Sequence, residues 1–181
     1  MIVLFAVSIV PTMAHTAADP QWNPLCAGSP HYYGEPGPKD ASWYWNHRNL
    51  VGGIRVWNND THLFVEYDTT GYWDDDVWVP SDWVLTETHL AVETDPDDFP
   101  QTKSGNPKVG KFPYKDEGLY NTHKLYTIPL GSWGPGNILY IAAHAVVKNG
   151  CREETAWADC GGPDAYFPGN NWATYFTYTV Q

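Results

Sequence analysis

Short runs in which apolar and polar side chains alternate dominate the chain from residue 50 onward. In the segment GGIRVWNNDTHLFVEYDTT (52–70), apolar residues recur at every second position on both sides of the turn formed by Asn58, Asn59 and Asp60. A period of two places side chains on one face of a strand, and a short Asn-rich connection is typical of a tight turn between antiparallel strands. This segment therefore predicts a β-hairpin.

Four further runs have the character of strands, at 83–92, 125–130, 138–147 and 172–180. The run 138–147 (ILYIAAHAVV) is almost wholly apolar, which predicts a central strand buried on both faces. Strict alternation in 83–92 places Leu85 on the face opposite Leu90 and Val92. No segment combines the 3.6-residue period of a helix with capping residues. The pattern predicts an all-β fold, an antiparallel β-sandwich of immunoglobulin-like or jelly-roll-like type.

The chain divides into three parts that differ in composition and periodicity. Residues 50–181 hold the predicted sandwich, and within them 93–118 contain four prolines and three glycines without periodicity, which predicts a large surface loop. Residues 19–49 are rich in proline and glycine, which block helix formation, so we expect an extended tether.

Residues 1–18 begin with the uncharged run MIVLFAVSIV. As a strand, this run has one apolar face formed by Val3, Phe5, Val7 and Ile9, while Ile2, Leu4, Ala6 and Val10 nearly complete a second, as in a strand buried on both sides. As a signal peptide, it supplies the apolar core and is followed by small residues but lacks the basic start. Both interpretations stay open.

Composition excludes two classes of partner. Lys and Arg number 10 against 21 Asp and Glu, a net charge of −11 that argues against binding a nucleic acid backbone. No apolar run reaches the roughly 18–20 residues needed to cross a bilayer, so no membrane span is expected. The 10 Trp and 12 Tyr residues suit half-exposed sheets and contact with glycans.

The three cysteines favour an oxidising, extracellular compartment or cell surface. Cys151 and Cys160 bracket a short segment, which predicts a disulfide between them and leaves Cys26 over.

Chemistry-bearing residues are few. Glu87 and His89 share one predicted strand face, and together with His144 they are candidates for a metal site if their strands are adjacent. Two Asp clusters could bind Ca²⁺ but lack the spacing of a calcium-binding loop, so no cofactor is assigned. No nucleophile, metalloprotease, phosphate-binding or dinucleotide motif occurs, so we expect no catalytic residues and no enzyme, unless the Glu87, His89 and His144 site were to act in one. The Asp clusters comprise Asp74, Asp75 and Asp76, and Asp95, Asp97 and Asp98.

Asn59, Asp60 and Thr61 form an N-x-T sequon in the predicted hairpin turn. A turn of this kind lies on the surface, which predicts glycosylation at Asn59.

Five strings in the C-terminal two thirds resemble a family of secreted β-sandwich domains found in microbial surface proteins. They are ETHL (87–90), GKFPYK (110–115), LYIAAHAVV (139–147), ETAWA (154–158) and NWATYFTYTV (171–180). The resemblance covers residues 50–181. It implies a β-sandwich fold and an extracellular location, and it implies no defined chemical activity.

These observations predict a structural subunit of an extracellular filament or surface assembly. The N-terminal strand would insert into a groove of the neighbouring sandwich, so the partner is a second copy of the chain. The alternative is a secreted carbohydrate- or metal-binding sandwich module whose first residues are a cleaved signal peptide.

Overall fold

The computed structural model describes residues 20–27, 49–74, 76–158, 166–169 and 171–181. Within these residues the regular structure consists of β-strands and two short 3-10 turns, without an α-helix. No helix of these residues has the length and apolar character needed to cross a membrane. The strands are β1 Gln21–Ala27, β2 Asn49–Asn58, β3 His62–Asp68, β4 Gly71–Asp74, β5 Val77–Pro80, β6 Val84–Glu93, β7 Tyr114–Asn121, β8 His123–Pro129, β9 Ile138–Asn149, β10 Arg152–Ala158 and β11 Phe176–Thr179.

One antiparallel sheet contains nine of these strands. Its order is β7-β6-β9-β10-β1-β2-β3-β8, and β11 pairs with the beginning of β9. Strands β4 and β5 form a separate hairpin. The all-β antiparallel fold predicted from the alternating pattern is therefore confirmed.

The sheet folds back on itself around a large apolar core, to which both halves of the strand order contribute. Two buried tyrosines link its layers: the Tyr67 hydroxyl in β3 donates to the His89 carbonyl in β6 at 3.0 Å, and the Tyr178 hydroxyl lies 2.6 Å from the Asn58 side-chain oxygen. Hydrogen-bonded polar groups can be buried at little cost. The largest fully buried apolar side chains besides the tyrosines are Leu25, Ile54, Leu63, Leu85, Leu90, Ile128, Leu139, Ile141, Val51 and Val56.

A second, smaller apolar cluster covers the other face of β6, β9 and β10. Strands β9 and β10 contribute Ala142 and Trp157 to this cluster. The two loops that cover the strands contribute Phe99, Phe112 and Phe167. Strand β9 is thus buried on both faces along most of its length, as its continuous apolar run predicts.

The hairpin predicted at 52–70 is formed by β2 and β3, the run at 138–147 lies in β9, and the run at 125–130 lies in β8 except for Leu130. The face predicted for Leu85 is wrong. The pairing of β6 with both neighbours shifts register between Leu85 and Glu87, and a bulge of this kind moves the following side chains to the other face. Leu85 therefore joins Leu90 and Val92 in the main core.

The predicted tether is wrong near its beginning. Residues Gln21–Ala27 form β1, which lies inside the sheet between β10 and β2. A proline is tolerated here because Pro24 precedes Leu25–Ala27, the part of β1 that pairs with both neighbours. The apolar segment 1–18 and most of the remaining tether lie outside the described residues.

The predicted surface loop at 93–118 is also too long. It contains the two 3-10 turns, at Pro96–Asp98 and Val109–Lys111, and strand β7 begins at Tyr114. A glycine with φ of +72°, Gly118, interrupts β7 and obscures its alternation in the sequence. β10 follows β9 after a turn of two residues, Gly150 and Cys151.

Candidate functional site

The two end strands of the sheet, β7 and β8, lie beside each other without pairing. A single residue, Thr122, joins them in the chain, yet each stands at an opposite end of the strand order. Side chains bridge the gap: the Lys124 ammonium donates to the Asp116 carboxylate, and the ring centroids of Tyr114 and Tyr126 are 6.2 Å apart. We call this gap between Tyr114–Asn121 and His123–Pro129 the β7/β8 seam.

The inner side of the seam is an incompletely covered part of the main core. Tyr114 and Leu119 of β7 and Tyr126 of β8 pack against that core but stay partly exposed. The Tyr126 ring is 6.0 Å from the Tyr67 ring, and its hydroxyl lies 2.7 Å from the buried Thr88 hydroxyl. Apolar side chains at a strand edge that are partly exposed to water can be buried further by a binding partner.

The outer side of the seam carries two exposed apolar side chains. Tyr120 of β7 is 81% exposed and Leu125 of β8 is 48% exposed. Tyr120 follows the inward-facing Leu119, and Leu125 precedes the inward-facing Tyr126. Because side chains alternate along a strand, Tyr120 and Leu125 point outward. The outer side of the seam therefore combines these two apolar side chains with the exposed charged side chains of Lys115 and Glu117.

One ion pair, between Lys124 and Asp116, spans the seam. The hydrogen bond from Lys124 is the main cause that lowers the pKa of Asp116. The Lys124 ammonium also lies 5.0 Å from the centroid of the Tyr126 ring, and burial raises the pKa of Tyr126 above its ordinary value. At neutral pH one cation and one carboxylate thus face each other between the two strands.

The structure brings His89 and His144 together on the adjacent strands β6 and β9. Their Nδ1 atoms are 3.3 Å apart, both rings are almost fully buried, and the His144 ring lies 4.9 Å from the ring of Trp157. Burial, reinforced by the positive charge that His89 can carry, lowers the pKa of His144 to about 3. Burial also lowers the pKa of His89, with Glu87 and Glu117 acting in the opposite sense. Both rings are therefore neutral at pH 7.

A metal site at these residues has no support in the geometry. Glu87 acts on His89 only through its charge, and the nearest carboxylate oxygen to His89 Nε2 belongs to Glu117, at 3.8 Å. Across the described residues, no group of three or more His, Cys, Asp or Glu side chains could hold a metal ion. The arrangement matches a hydrogen-bonded pair of neutral imidazoles.

The acidic cluster at 95–98 forms a capped turn. The Asp95 carboxylate accepts a hydrogen bond from the Asp97 amide at 2.9 Å, at the start of the 3-10 turn. This hydrogen bond accounts for Asp95 without an ion. In the other cluster, Asp75 and the side chain of Asp74 lie outside the described residues.

The cysteine assignment made from spacing is wrong. Cys151 lies in the two-residue turn between β9 and β10, where its thiol is free and exposed, so it forms no bond with Cys160. Cys26, expected to be left over, is disulfide-bonded and is buried opposite Trp157. Cys160 lies outside the described residues. Short sequence separation misled the prediction because a hairpin turn directs its side chains to solvent.

We expect Cys151 to be the cysteine that reacts in the native protein. A maleimide reagent should modify it completely without denaturant or reductant, because its thiol is exposed. Mass spectrometry of proteolytic fragments should then locate one adduct, at Cys151. A native adduct at Cys26 would contradict the cysteine assignment.

Asn59 lies in the exposed turn between β2 and β3. Its side-chain oxygen accepts hydrogen bonds from the Thr61 amide at 2.9 Å and the His62 amide at 2.8 Å. These bonds hold the turn through the oxygen, so a glycan on the side-chain nitrogen can be accommodated without breaking them.

One surface feature is not evident from the sequence pattern. The β4–β5 hairpin exposes Trp73, Trp78 and Val77, which are 55%, 38% and 62% exposed. The Trp78 ring lies 6.3 Å from Trp22 of β1, which connects the hairpin to the sheet.

No protein-family model, curated protein or solved structure matches the chain.

Proposed function

We propose that the protein is a structural subunit of an extracellular filament or surface assembly. In this proposal the N-terminal strand of one copy inserts into the sandwich of the next. The observation that carries the proposal is the end of the sheet, where β7 and β8 lie side by side and unpaired. An unpaired strand edge is a template for another strand, and two facing edges can pair with both sides of it.

The chain has a segment suited to that role. Residues 1–10 carry no charged side chain and are apolar in almost every position. Because β1 begins at Gln21, residues 11–20 separate this segment from the sheet, and ten extended residues span about 30 Å. A strand on a spacer of that reach can enter a neighbouring copy. Head-to-tail contacts of this kind do not close on themselves and give filaments.

The disulfide bond of Cys26 supports an extracellular location, because disulfides persist in oxidising compartments. This location agrees with the resemblance to secreted β-sandwich domains of microbial surface proteins. We propose that the chain belongs to that family.

The proposal predicts that a charge in the N-terminal segment prevents assembly. Val7→Asp should abolish sedimentable filaments, because a carboxylate would have to be buried in the neighbouring sheet. Thr16→Asp, which adds the same charge outside the apolar run, is the matched control and should assemble as the parent does. Ultracentrifugation and electron microscopy measure the outcome. Equal assembly of both variants would show that the segment is not inserted.

We also propose that Asn59 carries a glycan. Expression in a glycosylating host should add the mass of an N-linked glycan, and Asn59→Gln should remove it. A parent protein without added mass would contradict this part of the proposal.

A second candidate function is a secreted carbohydrate-binding module, favoured by the exposed tryptophans of the β4–β5 hairpin. Aromatic rings with a polar edge suit contact with sugars. N-terminal sequencing of the exported protein separates the two functions: a start near Ala17 favours the module, and retention of residues 2–10 favours assembly.

A further inference from the structure

We infer that the β7/β8 seam is the acceptor groove and that residues 2–10 of a second copy occupy it. The inference deepens the proposed function and rests on it.

The inner face of the inserted strand would complete the main core. Tyr114, Leu119 and Tyr126 already contact that core and remain partly exposed. An apolar strand beside them would remove their remaining exposed surface from water, at about 25 cal/mol per Å². The inserted residues on this face are Val3, Phe5, Val7 and Ile9.

The outer face of the seam offers apolar contacts to the second face of the donor segment. Tyr120 and Leu125 lie on the solvent side of the seam, where β7 also carries the exposed charged side chains of Lys115 and Glu117. The alternate donor positions Leu4 and Ala6 would lie between Tyr120 and Leu125.

Length and direction are compatible with insertion. The seam strands contain 8 and 7 residues, close to the length of segment 2–10. Every step in the strand order from β7 to β8 is antiparallel, and there are seven steps, so the two strands run in opposite directions. A strand between them is necessarily parallel to one and antiparallel to the other, and both pairings are stable in sheets.

Insertion requires room between the two strands. Paired strands lie about 4.8 Å apart, so β7 and β8 would stand nearly 10 Å apart with a strand between them. The side chains of Lys124 and Asp116 are about one quarter and two fifths exposed, so water can solvate both of them whether or not they stay paired.

The test uses the full chain and two matched positions. Leu125→Glu places a charge at the seam, and Ile138→Glu places the same charge at a residue of similar exposure, 52% against 48%, at the start of β9. We expect Leu125→Glu to lower the sedimentable fraction at least tenfold, and Ile138→Glu to leave it unchanged.

A cross-link locates the contact. In a Cys151→Ser background, Ala6→Cys combined with Leu125→Cys should give disulfide-linked oligomers after oxidation of filaments, because the centre of the donor lies near the centre of β8 in either direction. Ala6→Cys combined with Ile138→Cys should not. If filaments form but Leu125→Glu assembles normally and the Ala6–Leu125 cross-link is absent, the seam is not the acceptor and the proposed function still stands. If the parent chain forms no filaments, both fail.

Discussion

Acidification from pH 7 to pH 3 is expected to lower the free energy of unfolding by about 4 kcal/mol through His144 alone. Folding lowers the pKa of this imidazole from 6.5 to about 3, because the ring is buried between His89 and Trp157. The unfolded chain therefore binds a proton between these two values that the folded protein does not bind. Each pKa unit corresponds to about 1.4 kcal/mol.

The sign of the effect follows from the lowered pKa. The stability linked to His144 is fully present above pH 6.5 and is lost as the pH falls towards about 3. His89, whose pKa is also lowered by burial, acts in the same direction, although Glu87 and Glu117 oppose the shift and Lys115 reinforces it. Burial raises the pKa of Glu93, so this group acts in the opposite direction.

Urea denaturation at a series of pH values measures this effect. His144→Gln should flatten the fall in stability between pH 6.5 and 3. His62→Gln is the matched control, since His62 bonds to Thr61 in the exposed β2–β3 turn. An unchanged slope in His144→Gln would show that this histidine is not the main source of the acid sensitivity.

Truncation of Trp157 is expected to destabilise the protein by about 3–5 kcal/mol. Its ring is 5% exposed and forms the centre of the second apolar cluster, with ring centroids at 6.3 Å from Phe112 and 6.0 Å from Phe167. Trp157→Ala would leave a cavity beneath both covering loops. It would also admit water to His144 and so raise the pKa of that ring towards its ordinary value.

Trp73→Ala is the control for truncation of a tryptophan. The side chain is 55% exposed on the β4–β5 hairpin, so its removal should change the stability by less than about 0.5 kcal/mol. Thermal and urea denaturation provide both values. Similar losses in the two variants would contradict the role given to the second cluster.

Periodicity predicts strands well where one face is buried and the turn is explicit. The β2–β3 hairpin has both signals, and the uninterrupted run of β9 correctly indicates burial on two faces. β1 is missed because its proline resembles the composition of a tether, and only the pairing partners show that Pro24 precedes the fully paired part of the strand. Leu85 is misplaced because a bulge leaves no mark in the sequence.

The candidate site is less accessible to prediction than the fold. His89 and His144 are neighbours only because β6 and β9 pair. The local sequence pattern predicts single strands but does not show which distant strands pair with each other. The seam depends on strand order, which brings the first and last strands of the sheet together. The sequence gives little signal for the seam, because Gly118 obscures the alternation of β7 and only Thr122 separates β7 from β8. The free state of Cys151 likewise depends on a turn that spacing does not reveal.

Electron microscopy of the purified 181-residue chain is the decisive measurement, with mass spectrometry confirming that residues 2–10 are present. Insertion of that segment into the next copy predicts unbranched filaments one subunit wide. Particles that stay monomeric at high concentration while retaining the segment would show that the chain does not assemble by strand insertion.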